Sequence, residues 1–150
     1  MKTIFFAAAL ALLACGARDT PEEAVRRVLG ELETAAEARD VGGLREHLSE
    51  SYRDSRGNDR RTVLGVATAH FMQHQSVYLL TRVTELAIEG SDRARASVLV
   101  AMAGTPIDDP TALLGIRADL YRFDVALHDE DSHWRVTSAE WQPASAADFQ

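Results

Sequence analysis

Lysine is almost absent from this 150-residue chain: of its 16 lysine and arginine residues only Lys2 is a lysine. The arginines are scattered, adjacent only at Arg26-Arg27 and Arg60-Arg61. No basic stripe exists to neutralise a run of phosphates, which excludes nucleic acid as a partner. A polybasic membrane-surface patch is excluded for the same reason. Cysteine is nearly as rare. Cys15 stands alone, so an internal disulfide framework is impossible. There is no glycine-rich phosphate loop, no Cys-x-x-Cys pair and no nucleophile elbow, and nothing in the residues calls for a cofactor. Internal repeats and low-complexity stretches are missing too.

What is present is the composition of one globular domain, with 46% hydrophobic and 26% charged residues and a formal charge of -7. The first residues differ from the rest. Lys2 is a positive flank, and Ile4 to Leu13 is an unbroken apolar run. As a helix, this run reaches only about half of a roughly 30 Å hydrocarbon core, so it reads as a signal peptide and not as a span. The tetrad Leu12-Leu13-Ala14-Cys15 resembles the bacterial lipobox. That resemblance implies thiol lipidation of Cys15, cleavage before it, and a membrane partner held through the N-terminal lipid. Gly16 stands where an aspartate would favour inner-membrane retention, which points to the outer membrane, facing the periplasm, if the host has two membranes. Ordinary secretion with cleavage after Ala17 also fits the segment. The expected division is a signal peptide over 1–14, a lipid-anchored spacer over 15–19, a domain over 20–143 and a loose tail over 144–150.

Thr20-Pro21-Glu22-Glu23 is a helix start, with a threonine cap, proline at the first position and glutamate at the third. Val25, Val28, Leu29, Leu32 and Ala36 then form one apolar stripe to about Arg39. Gly42-Gly43 predicts a break before a short helix from Leu44 to Leu48. A third helix is expected from about Arg60 to Gln75. Four long strands follow, over Ser76–Glu89, Arg93–Gly104, Gly115–Asp129 and His133–Gln142, with turns at Gly90-Ser91 and Glu130-Asp131. Helices followed by antiparallel strands define an α+β class: N-terminal helices packed on one face of a curved, mostly antiparallel four-stranded sheet.

This order resembles the nuclear transport factor 2-like superfamily, the cone-shaped fold of ketosteroid isomerase, scytalone dehydratase and polyketide cyclases. The features that carry it are an amphipathic first helix, a small second helix, the loop Tyr52-Arg53-Asp54-Ser55-Arg56-Gly57, and the strand pair Leu120-Tyr121-Arg122-Phe123 and His133-Trp134-Arg135-Val136. The resemblance implies a pocket between helices and sheet, and a homodimer through the outer sheet face. It implies architecture far better than chemistry.

A two-residue turn at Glu130-Asp131 places Leu127 opposite Trp134, Val125 opposite Val136, Phe123 opposite Ser138 and Tyr121 opposite Glu140, all on one face. That face grades from apolar to polar, and its polar end, Asp119, Tyr121 and Glu140, becomes the candidate pocket mouth. Glu140 in an apolar wall would suit a general base. Equally, it would pair with Arg117 or a loop arginine and close the domain. The opposite face then carries Leu120, Trp141, Ala118 and Ala139, an apolar patch for a second copy. His70 and His74 are four apart on a helix, a zinc-protease spacing, but Phe71 holds the position of the catalytic glutamate and no further ligand is indicated. No metal is assigned, and His74 is kept as a pocket residue. Three functions remain open: a non-catalytic envelope protein binding a small apolar or amphipathic ligand or a protein partner; an isomerase, dehydratase or cyclase using Glu140 or Asp119 as base with Tyr121 or His74 assisting; and a structural homodimer.

Overall fold

The computed structural model describes residues 18–150. Three helices, α1 (Pro21–Glu37), α2 (Val41–Glu46) and α3 (Arg60–Gln73), precede a four-stranded antiparallel sheet. Its strands β1 (Tyr78–Glu89), β2 (Arg93–Ala103), β3 (Ala118–Glu130) and β4 (His133–Pro143) are ordered β1-β2-β3-β4. Two short 3-10 helices, η1 (Pro110–Leu114) and η2 (Ala146–Phe149), follow β2 and β4. Cys15, the expected lipidation site, and the expected leader lie outside the described residues.

The start of α1 forms as its sequence predicts. The Glu23 N–H donates to Thr20 Oγ1 at 3.2 Å and the Thr20 N–H donates to Glu23 Oε2 at 2.7 Å, satisfying two end groups that the helix itself cannot. Its apolar stripe divides. Val25 and Val28 are buried against Trp134, Leu127 and Ala94, while Leu29 and Leu32 are only half-buried. Gly42-Gly43 does not break the chain as expected but lies inside α2, which begins at Val41. A Cβ at Gly43 would lie 2.9 Å from Asp40 Oδ2 and 3.0 Å from the Ala35 Cβ. Glycine therefore permits a close approach of α2 to α1 at this corner. At the far end of α3, the Arg39 guanidinium donates to the carbonyls of Phe71 and His74 at 3.2 and 3.0 Å, placing a cation where the helix dipole is negative.

The hairpin between β3 and β4 corrects the expected register. Its turn is Asp131-Ser132, one residue later than expected, with φ of 53° and 66°, and Glu130 pairs with His133. Two consecutive left-handed residues make the turn that suits the strand twist. Leu127 therefore faces Val136, not Trp134. A bulge then intervenes: Ala126 pairs with Ser138 and Leu127 with Val136, leaving Thr137 extra. Beyond it Val125 pairs with Ala139, Phe123 with Trp141 and Asp124 with Glu140. One extra residue exchanges the two faces of a strand. Glu140 consequently lies beside Asp124 and away from Tyr121, while Ala139 and Trp141 join the helix side. The bulge has a partner in the loop after α2. The N–H groups of Ser49, Arg53 and Ser55 donate to the carbonyls of Val136, Thr137 and Ala139 at 2.9, 3.0 and 3.2 Å, covering an edge that would otherwise present unpaired backbone.

The outer sheet face is not the expected open apolar patch. Leu99 and Ala101 are fully buried there, with Ala118 and Leu120 packed around Leu113 of η1 and Phe149 of η2. Residues 144–150, expected as a loose tail, supply this cover. Ser145 and Asp148 form a capping box, Phe149 is 1% exposed, and Arg82 donates to its carbonyl at 2.9 Å. The rest of this face carries a groove in which Arg95, Ser97, Asp124 and Glu140 lie beside apolar Leu86, Ala87 and Ala126.

Candidate functional site

A cavity of about 490 Å³ separates the helices from the inner sheet face. Half-buried Leu29 and Leu32 of α1, Leu44 and Leu48 from the α2 region, and Val63 and Ala67 of α3 form its walls. Val98 and Val100 of β2, Phe123 and Val125 of β3, and Val136 and Ala139 of β4 form its floor. The split stripe of α1 explains why the space exists. The shorter Val25 and Val28 pack against the closed end, and the bulge at Thr137 bends β4 while directing Val136 and Ala139 inward. Gly30, on the cavity side of α1, presents no side chain at all.

Few polar groups reach this space, and most are spoken for. The Thr81 hydroxyl donates to Glu33 Oε2 at 2.6 Å, and the neighbouring Leu79 N–H donates to Glu37 Oε1 at 2.8 Å. These two carboxylates pin α1 to the edge of β1. Arg26 turns to Glu22 at 2.9 Å. Tyr52 is the remaining polar lining residue of note. It is 2% exposed, and its hydroxyl makes no hydrogen bond among the described residues. Burial first, and the charge of Asp54 second, push the phenol up to about 12, so it stays protonated. Asp54 itself serves the loop. Burial raises it, but hydrogen bonds from Asn58 and from the Arg56 N–H, with the charge of Arg56, bring it below the usual carboxylate range. Near the other side of the cavity, Trp141 stacks on Phe123 at 6.0 Å and carries the Arg56 guanidinium 4.6 Å from its ring.

A second cleft, about 540 Å³, lies at the sheet end beside the C-terminus of α3, and Met102 is a wall of both spaces. His70, His74, Arg117 and Asp119 line it, so two of the residues singled out in the sequence, His74 and Asp119, border the same cleft. The imidazoles stack with centroids 4.1 Å apart, and His74 Nδ1 is 2.9 Å from the His70 carbonyl oxygen. Burial first, then the charge of His74, hold His70 below the usual imidazole value, with Asp119 opposing. Tyr121 lies two residues further along β3, opposite Val100 and edge-on to Phe123 at 6.2 Å. Glu140 is separated from all three by the sheet. Of the other side chains with metal-ligand chemistry, His47 is 3.5 Å from Glu31 and Asp54 is held in its own loop. Among the described residues no group of three or more histidine, cysteine, aspartate or glutamate side chains gathers to hold a metal ion.

Tyr52 is the lining residue that sequence reasoning passed over as part of a turn. The signal available was a lone large aromatic in an otherwise polar stretch, Ser49 to Asp59.

No protein-family model matches the chain, and no curated protein matches it at a significant level. Solved structures do. A candidate dehydratase of the nuclear transport factor 2-like family from Streptomyces avermitilis superposes with a TM-score of 0.63 at 13% identity, over 83% of this chain and 96% of that one. A nuclear transport factor 2-like protein from Cytophaga hutchinsonii gives 0.61 at 14%, over 84% and 100%. Bd1075 from Bdellovibrio bacteriovorus gives 0.63 at 11%, over 81% of this chain, which spans only 40% of that longer protein. The chain thus has the cone-shaped nuclear transport factor 2-like fold, in which helices cap a curved four-stranded antiparallel sheet. At these identities the likeness speaks for the fold alone.

Proposed function

We propose that this protein is a lipid-anchored envelope protein that holds one small, largely apolar molecule between its helices and its sheet. The observation that carries the binding reading is the 490 Å³ cavity, whose walls are leucine, valine and alanine and whose charged lining residues already have partners. Its size falls within the range of small-molecule sites, and its mixture of many apolar walls with few polar groups is what such sites have. The anchor rests on the sequence: a short apolar leader ending in the tetrad that closes on Cys15. Only five residues would separate lipid from α1, a reach of roughly 15–20 Å, so the cavity would work close to the membrane surface. Titration with the apolar fluorophore N-phenyl-1-naphthylamine tests the binding reading. Saturable uptake of one molecule per chain supports it, and unsaturable or absent uptake refutes it.

A second reading, an enzyme of isomerase, dehydratase or cyclase type, is favoured by one observation: His74 and Asp119 share a cleft that adjoins the cavity at Met102. Asp119 would be the base there; Glu140, on the outer face, has no access. Turnover of a ligand recovered with the protein, lost in Asp119→Asn with the ligand still bound, would establish this reading.

A further inference from the structure

Within the cavity, polar groups are either paired or absent, with one exception. Glu33 and Thr81 satisfy each other, and Arg26 is engaged by Glu22. Tyr52 lines the same space, is 98% removed from solvent by its 2% exposure, and has a hydroxyl without a partner among the described residues. Asp129 Oδ1 is the one side-chain oxygen that is both sealed off and unpaired among those residues. The Tyr52 hydroxyl is not sealed off in that way, and its residue lines the cavity. There a ligand oxygen can take the hydroxyl's hydrogen bond in place of water.

Resting on the binding reading above, we infer that Tyr52 is the specificity-determining group of this site, and that the ligand is an apolar frame bearing one neutral oxygen acceptor, a carbonyl or hydroxyl, bonded by the Tyr52 O–H. Charge selects neutrality. Asp54, two residues away and 7% exposed, disfavours a second negative charge near the phenol. Arg26, the one cation on the cavity lining, is already held by a carboxylate.

The test uses two probes of nearly the same shape, 2-methylnaphthalene and 2-naphthaldehyde, each displacing the fluorophore from the wild-type protein and from Tyr52→Phe. The change of protein cancels the difference in hydration between the probes. We expect Tyr52→Phe to weaken the aldehyde about tenfold, equivalent to about 1.4 kcal/mol, and to leave the hydrocarbon unchanged. Equal effects on both probes overturn the inference and leave the binding reading intact; failure of either probe to displace the fluorophore from wild type overturns the inference as well. No uptake of the fluorophore overturns both. Should Tyr52→Phe not fold, the carbonyl stretch of the aldehyde bound to wild type decides. A shift to lower frequency than in hexane supports the hydrogen bond, and an unshifted band refutes it.

Discussion

Gly30 tests the cavity by a change in stability. It lies in the middle of α1 and lines the cavity, and a Cβ built on it meets nothing within 4 Å. Glycine in a helix interior is about 0.8–1.0 kcal/mol worse than alanine because the unfolded chain has more freedom to lose. A methyl entering the cavity adds part of the roughly 0.8 kcal/mol that a buried methylene contributes. Gly30→Ala should therefore stabilise the protein by about 1–1.5 kcal/mol, raising the melting temperature by about 3–5 °C. The hydrogen bond from Thr34 Oγ1 to the Gly30 carbonyl, 2.9 Å long, involves the backbone and is untouched. Gly65 on α3 is the control. Its Cβ also meets nothing and it is exposed, as Gly30 is, but it does not line the cavity. Gly65→Ala should stabilise by about 0.8–1.0 kcal/mol through propensity alone. A larger residue separates the two sites. Gly30→Leu takes up part of the space and should weaken fluorophore uptake while the protein stays folded; Gly65→Leu should leave uptake unchanged. Thermal unfolding read by circular dichroism, with uptake on the same samples, is the assay. If Gly30→Ala lowers the melting temperature, the position is not open, and the reasoning that the cavity is real fails with it.

Other consequences can be checked independently. Phe149→Ala should destabilise by about 3–5 kcal/mol, since the ring is fully buried under the outer sheet face; an unfolding curve superimposed on wild type would mean the C-terminal segment contributes nothing. His70 is held below its ordinary value of 6.5 in the folded protein, so the unfolded chain takes up the proton first as pH falls. Stability should decline on acidification through about 6.5 and level off once pH is beneath the folded value, whereas the depressed carboxylates Asp54 and Asp59 lose their contribution only at lower pH, below 3.8. His70→Gln should flatten the upper of these two slopes in denaturant midpoints measured from pH 7.5 to 5; an unchanged slope assigns it elsewhere. Cys15→Ser should prevent incorporation of labelled palmitate and shift the protein out of the membrane fraction, and a mature wild-type chain beginning at Arg18 without lipid would refute the anchor. A homodimer through the outer face must now bury the groove around Arg95 and Asp124, and light scattering that shows only monomer at high concentration would remove it.

The elements were legible where local chemistry decides them. Thr20, Pro21 and Glu23 fix the first helical turn by their own hydrogen bonds, and the 3.6- and 2-residue periods of α1 and the strands survive in any fold that buries one face. What was illegible depends on tertiary partners. The extra residue at Thr137 is absorbed because loop N–H groups bond the carbonyls around it, and no periodicity within β4 announces that. From this one residue follow the misplacement of Glu140 and the wrong side assigned to Trp141. The turn at Asp131-Ser132 has neither glycine nor asparagine to mark its left-handed pair, so Glu130-Asp131 read equally well. Gly42-Gly43 resembled a break because a close approach between helices leaves the same glycines. Phe149 is a single apolar residue in a polar tail, too little for a pattern, yet it closes a core. Of the candidate site, His74 and Asp119, 45 positions apart, border one cleft because both fall at the same end of the sheet, whereas Tyr52 was hidden by the turn-forming residues around it.

The decisive property of the protein is which side of its sheet receives an apolar molecule. Methyl NMR spectra of the protein titrated with N-phenyl-1-naphthylamine read this directly. Resonances of Leu29, Val100 and Val125 should move and saturate together, while those of Leu99 and Leu113 on the outer side stay in place. Shifts confined to the outer set, or none that saturate, would contradict the central claim.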